Sequence, residues 1–285
     1  SLRCVFWVAS SIRGWGIDLP RPASQRAAAF ILTAAMLTTL AAPAFAGTWY
    51  IEDGNITISA GTEAGTNKVE QAGKDTVDND KDTIITNQNK DTASSNTVTI
   101  EAEKKDDKVE VTLKDVNIKA DSGSALTSKG DVTLALNGDN HLTGGISGTG
   151  NYGRNGIAST GSLTISGGEN DSLTAQGGSG ADGSYGGHGI YSNGSLTISG
   201  GTVNATGGDG SNVNGSGISS NGSVTISGGT VNATGGNGSH GGNGIYSRSS
   251  LTISGGTVNA TGRDGKDGYG GDGIRSDGGV TISGG

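Results

Sequence analysis

Five phrases of the form Gly-Ile-x-Ser punctuate the second half of the chain, with their isoleucines at Ile157, Ile190, Ile218, Ile245 and Ile274. Counted from these, Tyr152, Tyr185, Val213, His240 and Tyr269 stand five residues upstream. Ala158, Tyr191, Ser219, Tyr246 and Arg275 stand one residue downstream. The two columns hold five of the six tyrosines. An exposed tyrosine beside amides and hydroxyls suits a sugar, which offers an apolar ring face and a hydroxyl rim. Tyr152, Tyr185, Tyr191, Tyr246, Tyr269 and Arg275 are therefore the candidate ligand-binding residues. The competing reading is that these tyrosines only cap loops.

Two other groups could carry chemistry. His188 lies in a Gly-His-Gly phrase, a setting in which histidine could serve paired carboxylates. The equivalent positions hold Asn155, Ser216, Asn243 and Asp272, however, each before a glycine. Asn and Asp favour such turns, so His188 reads first as a turn residue. No acidic pair recurs nearby with the spacing that glycoside hydrolysis needs, and the adjacent pair Asp106 and Asp107 sits in a charged loop. Lyase chemistry needs a base beside a bound cation. Arg154, Arg248, Arg263, Lys266 and Arg275 are available, but none recurs among carboxylates.

The second group is "GGSGAD" at 177–182, which matches the start of the calcium-binding nonapeptide G-G-x-G-x-D. Its counterparts are "GGDGSN" at 207–212, "GGNGSH" at 235–240 and "GRDGKD" at 262–267. Calcium takes six to eight oxygens. Asp182, Asp209, Asp264 and Asp267 are the candidate metal ligands, and calcium is the one cofactor the sequence suggests. Plain flexible turns are the other reading.

The elements that place these residues are written as a repeat. "SLTISGGTVNATGG" starts at Ser195, and close copies start at Ser223 and Ser250; shorter ones start at Ser162 and Gly279, so the steps are 33, 28, 27 and 29 residues. Each unit contains three short pieces of alternating apolar and polar residues, the pattern of half-buried strands. Leu196 and Ile198, Val203 and Ala205, and Ile218 point inward, with Thr197, Asn204 and Ser219 outward. One unit buries too little to stand alone, but stacked units share a core. Three strands per turn at this period predict an all-β, right-handed parallel β-helix of the pectin-lyase-like class, with almost no helix. Thr164, Thr197, Thr225, Thr252 and Thr281 should then form a hydroxyl ladder, and Asn204, Asn232 and Asn259 an amide ladder.

Residues 1–46 read as a leader with a signal peptide. Arg21 and Arg26 precede the apolar stretch 27–42, and Ala44 and Ala46 give an A-x-A cleavage pattern. Cleavage removes the single cysteine, Cys4, and leaves no membrane span in the mature chain. Residues 47–130 read as an N-terminal cap and first coils, with Trp49 and Tyr50 over the end of the core and loops between two strand-like stretches. Residues 131–285 are the glycine-rich repeats, expected to be incomplete at the C-terminal end. The 55 glycines beside 3 prolines exclude collagen. A net charge of −8 argues against a nucleic-acid partner.

The phrases "GTWYIEDGNITISA", "VTLKDVNIKADSGSALTSKGDVTLALNGDNHLTGG" and serial "LTISGGTVNATGG" resemble the clostridial carbohydrate-binding β-helix proteins. That family is similar in fold to pectate lyases and is displayed on the surfaces of anaerobes. The resemblance covers about 47–285 and implies a secreted, calcium-assisted binder of acidic plant polysaccharide without catalysis. No calcium ligands of the family can be matched onto this chain. The expectation is thus an exported, cell-surface, non-enzymatic protein whose partner is a polysaccharide or cell-surface glycan. A passive adhesin or stalk is the alternative, and a polysaccharide lyase the third reading.

Overall fold

The computed structural model describes residues 47–104, 107–147, 152–180 and 184–285. The leader, Asp106 and Asp182 lie outside them. The described residues form a parallel β-helix with three strands per coil, built on sheets of ten, nine and six strands. The only helical element among them is a single 3-10 turn, Ile51–Asp53.

One coil runs through Ile190–Ser192, Leu196–Ile198 and Thr202–Thr206, then through a loop to Ile218–Ser220 of the next. Each strand pairs in parallel with its copy one repeat away. Leu196 sits on Val224, Val203 on Val231 and Ile190 on Ile218. The coils containing Ile157–Ser159, Ile190–Ser192, Ile218–Ser220, Ile245–Ser247 and Ile274–Ser276 are called rungs one to five.

Alternation places one apolar column per inward position. Leu196, Ile198, Val203, Ala205, Ile190 and Ile218 are all fully buried in one continuous core. At the end of the first strand of these coils a serine points inward, and Ser159, Ser192, Ser220 and Ser247 are fully buried. Their hydroxyls reach main-chain carbonyls at the corner; Ser220 Oγ lies 2.9 Å from Gly194 O and 3.1 Å from Gly222 O. A buried hydroxyl without such a partner would be costly. The next corner is turned by Gly201, Gly229 and Gly256, whose φ values of 77°, 78° and 82° suit glycine alone.

The threonine ladder is in register from Thr164 to Thr281. In the amide ladder Asn232 Nδ2 donates to Asn204 Oδ1 at 2.8 Å, and Asn259 Nδ2 to Asn232 Oδ1 at 2.9 Å.

The N-terminal region departs from expectation in two ways. The stretch taken as loops holds three strands: Asn67–Gln71, Val77–Asp80 and Ile84–Thr86. The first two run antiparallel and close the ten-stranded sheet beside Ile56–Ala60. They escape an apolar-alternation reading because polar residues point inward and are bonded there. Asn67 Nδ2 donates to Glu110 O at 2.7 Å, and Gln71 Nε2 to Tyr50 O at 2.7 Å. Second, Trp49 is buried as expected but Tyr50 is 37% exposed and does not cover the core. The stack continues unbroken past residue 130, since Lys108–Lys114 and Asp131–Asn137 pair over their whole length.

Candidate functional site

Both tyrosine columns are real columns. On the ten-stranded sheet Ala158, Tyr191, Ser219, Tyr246 and Arg275 are successive register partners. Position two residues further on shares that outward face, because side chains alternate along a strand. This brings in Asn193, Asn221, Arg248 and Asp277, which counting single positions from the isoleucine had overlooked. Asn221 Nδ2 donates to Tyr191 Oη and to Asn193 Oδ1, both at 2.8 Å. Tyr246 Oη donates to Asp277 Oδ2 at 2.8 Å, which raises the phenol above its usual range. The Arg275 guanidinium stands 5.7 Å from the Tyr246 ring centre and 3.7 Å from Asp277 Oδ1. Both rings are therefore held by their hydroxyls and are half-buried. Ser219, between them in the column, is only 5% exposed although it points outward.

The upstream column lies on the loops that join the third strand to the first. Tyr152, Tyr185 and Tyr269 are 45%, 43% and 66% exposed. The Tyr152 and Tyr185 rings lie 5.5 Å apart, and His240 and Tyr269 are stacked at 5.0 Å. The loops of rungs four and five add a short parallel pair, Gly238–His240 with Gly265–Tyr269.

His188 proves to be a structural member of its column. Its main-chain N–H donates to Asn155 Oδ1 at 2.8 Å, and its Nδ1 accepts the Ser216 N–H at 2.9 Å. Asn243 Oδ1 repeats the arrangement with the Asp272 N–H at 2.7 Å. Accepting at Nδ1 requires the proton to sit on Nε2. The ring also stacks on Tyr191 at 5.7 Å. Some of its surface meets solvent, yet protein packs densely around it, and burial lowers its pKa from 6.5 to about 4.

A pH dependence follows. The unfolded histidine binds its proton near 6.5 and the folded one only near 4. Its contribution is complete above 6.5 and is lost as pH falls through that window, by up to about 3 kcal/mol. His188→Asn restores the residue of rungs one and four, whose Oδ1 can accept the same N–H. Melting curves of the two proteins should diverge between pH 6.5 and 4, with the variant less acid-sensitive; parallel curves would refute the assignment.

The acidic loop residues are not gathered into a ligand set. Asp209 Oδ1 accepts both the main-chain N–H of Asn237 at 2.7 Å and its Nδ2 at 3.2 Å. Asp264 and Asp267 are exposed on rung five's loop. Among the described residues, which do not include Asp182, no three His, Cys, Asp or Glu side chains converge. An open hollow of about 630 Å³ near Tyr50 and Lys114 lies at the N-terminal end, away from the tyrosine columns.

A model of the Beta helix repeat family matches residues 196–222, 224–243 and 251–274. With the parallel sheets, that decides the architecture. The chain is a parallel β-helix protein. No curated protein and no solved structure matches this β-helix. No helix among its described residues is long and apolar enough to cross a membrane.

Proposed function

We propose that this β-helix is an exported, cell-surface glycan-binding protein that acts without catalysis. The observation that carries the reading is the pair of in-register tyrosine columns, with exposed rings on the loops and hydroxyl-anchored rings on the adjacent sheet. Rings fixed before binding lose little entropy when a ligand arrives. The amides of Asn193 and Asn221 and the guanidinium of Arg275 stand ready for ring hydroxyls. A passive stalk is the second reading. It is favoured by the spending of Asn155, His188, Asn243 and Asp209 on rung-to-rung bonds.

The test is retention of the chain on immobilised polysaccharides, in calcium and in chelator. Binding to at least one glycan is expected in both conditions. Tyr191→Ala with Tyr246→Ala should weaken it about tenfold or more, equivalent to about 1.4 kcal/mol. No retention on any glycan overturns the reading and leaves the stalk. Pectate with calcium should give a flat absorbance trace, and release of unsaturated products would make the protein a lyase.

A further inference from the structure

The upstream aromatic column is interrupted at rung three, and the interruption is built rather than vacant. Tyr185 has Tyr152 against one side of its ring. His240 has Tyr269 against one side of its own. Rung three lies between them and carries Val213, 43% exposed. That Val213 belongs in this column is shown by the Gly186 N–H donating to Val213 O at 3.0 Å and by the parallel bridge between Val213 and His240.

The floor and walls are held in place. Asn212 N–H donates to Ser184 O at 3.1 Å. Asn214 Oδ1 accepts the Gly210 N–H at 2.7 Å, while its Nδ2 donates to His240 O. Ser239 Oγ donates to Ser211 O at 2.6 Å, and His240 Nδ1 lies 3.1 Å from Asn212 O. Residues 210–220 contain no charged side chain.

We propose that Tyr185 and His240 form a clamp for one uncharged pyranose unit, seated on Val213. The proposal rests on the glycan-binding reading and adds to it the place and the ligand class. Two rungs separate the rings by about 9.6 Å, twice the inter-strand spacing. Two van der Waals contacts of about 3.5–4.0 Å take up about 7–8 Å of this. The remainder accommodates the pucker of a chair-form sugar and leaves a flat aromatic loose. The rung-three loop carries no cation, and its one charged side chain is the carboxylate of Asp209, which favours a neutral sugar over a uronate.

The experiment measures affinity of the full chain for neutral xylo-, cello-, manno- and chito-oligosaccharides of one to six units, and for galacturono-oligosaccharides of the same lengths. Val213→Tyr is the decisive variant, because its side chain is exposed and should fill the clamp without touching the core. A loss of tenfold or more is expected for Val213→Tyr, Tyr185→Ala and His240→Ala. Circular dichroism confirms that each variant is folded. An unchanged affinity in Val213→Tyr, or an increase, overturns the clamp while leaving glycan binding in place. Preference for galacturonides over every neutral series overturns the ligand class. Failure of the parent chain to bind any of these, when the polysaccharide panel does bind, also overturns the clamp; failure of both sets removes the wider reading with it.

Discussion

Gly215→Ala is expected to break the solenoid at rung three, whereas Gly270→Ala is expected to leave it intact. A methyl group on Gly215 would overlap the carbonyl of Gly187 on the preceding rung. That carbonyl already accepts the Gly208 N–H at 2.7 Å, and Gly215 O accepts the Gly236 N–H at 2.8 Å. Main chain therefore meets main chain here, with no flexible side chain to move aside. Relief requires rungs two and three to part, which breaks the first of these bonds and the strand pairing beside it. Gly215 has no left-handed φ, so crowding alone decides the outcome. At Gly270 the nearest atom to such a methyl is Arg263 O at 3.8 Å, an ordinary contact. A cost of about 4 kcal/mol or more is expected for Gly215→Ala, against less than about 1 kcal/mol for Gly270→Ala. Thermal melts should separate the two by about 10 °C or more. Limited proteolysis should cut the first variant near the rung-three loop. Equal melts would mean that the rungs are not packed main chain to main chain.

The same packing explains how much of the fold was legible. Three strand-like pieces at a fixed period, with no helical period, predict a coil whose equivalents lie above one another, and the Thr164 to Thr281 and Asn204 to Asn259 ladders fall where that rule puts them. The rule has no purchase on residues without copies. Asn67 and Gln71 point inward because each donates to main-chain carbonyls, a reason invisible to a count of apolar residues. Tyr50 lies at the end of a strand whose inward position is taken by Trp49, so alternation turns the tyrosine out.

The site was half legible for a related reason. Counting from each isoleucine finds the columns but not which side of a ring is covered. The covered sides of Tyr185 and His240, and hence the open rung at Val213, emerge only from the ring pairs. Polar residues misled in the other direction. A β-helix with bare glycine corners has many main-chain N–H groups to satisfy, and each unpaired one would be costly. Asn155, His188, Asn243 and Asp209 accept such groups from the next rung. What is left for a ligand is the set of aromatic rings, together with the amides and arginines along their edge.

Asp80→Ala should unravel the N-terminal end while the glycine-rich rungs persist. Asp80 is fully buried and its two carboxylate oxygens are both used. Oδ2 accepts Trp49 Nε1–H at 2.8 Å, and Oδ1 accepts the Gly47 N–H at 2.7 Å. Through these bonds the antiparallel strand Val77–Asp80 holds Thr48–Tyr50, the outermost strand of the nine-stranded sheet. Alanine leaves two donors without a partner and frees the indole that seals the core. Hydrogen bonds to charged groups contribute about 1.5–3 kcal/mol each, so the loss of two is about 3–6 kcal/mol. Asp80→Asn keeps one accepting oxygen but turns an amide N–H₂ towards the other donor, and should lose about half as much. Segment-resolved hydrogen exchange is the measurement. Residues 47–60 and 77–86 should exchange faster in Asp80→Ala, and residues 190–260 should be unchanged, because each rung is stabilised by its immediate neighbours. Uniform acceleration along the chain would instead show that the β-helix unfolds as one unit and that its cap governs the whole.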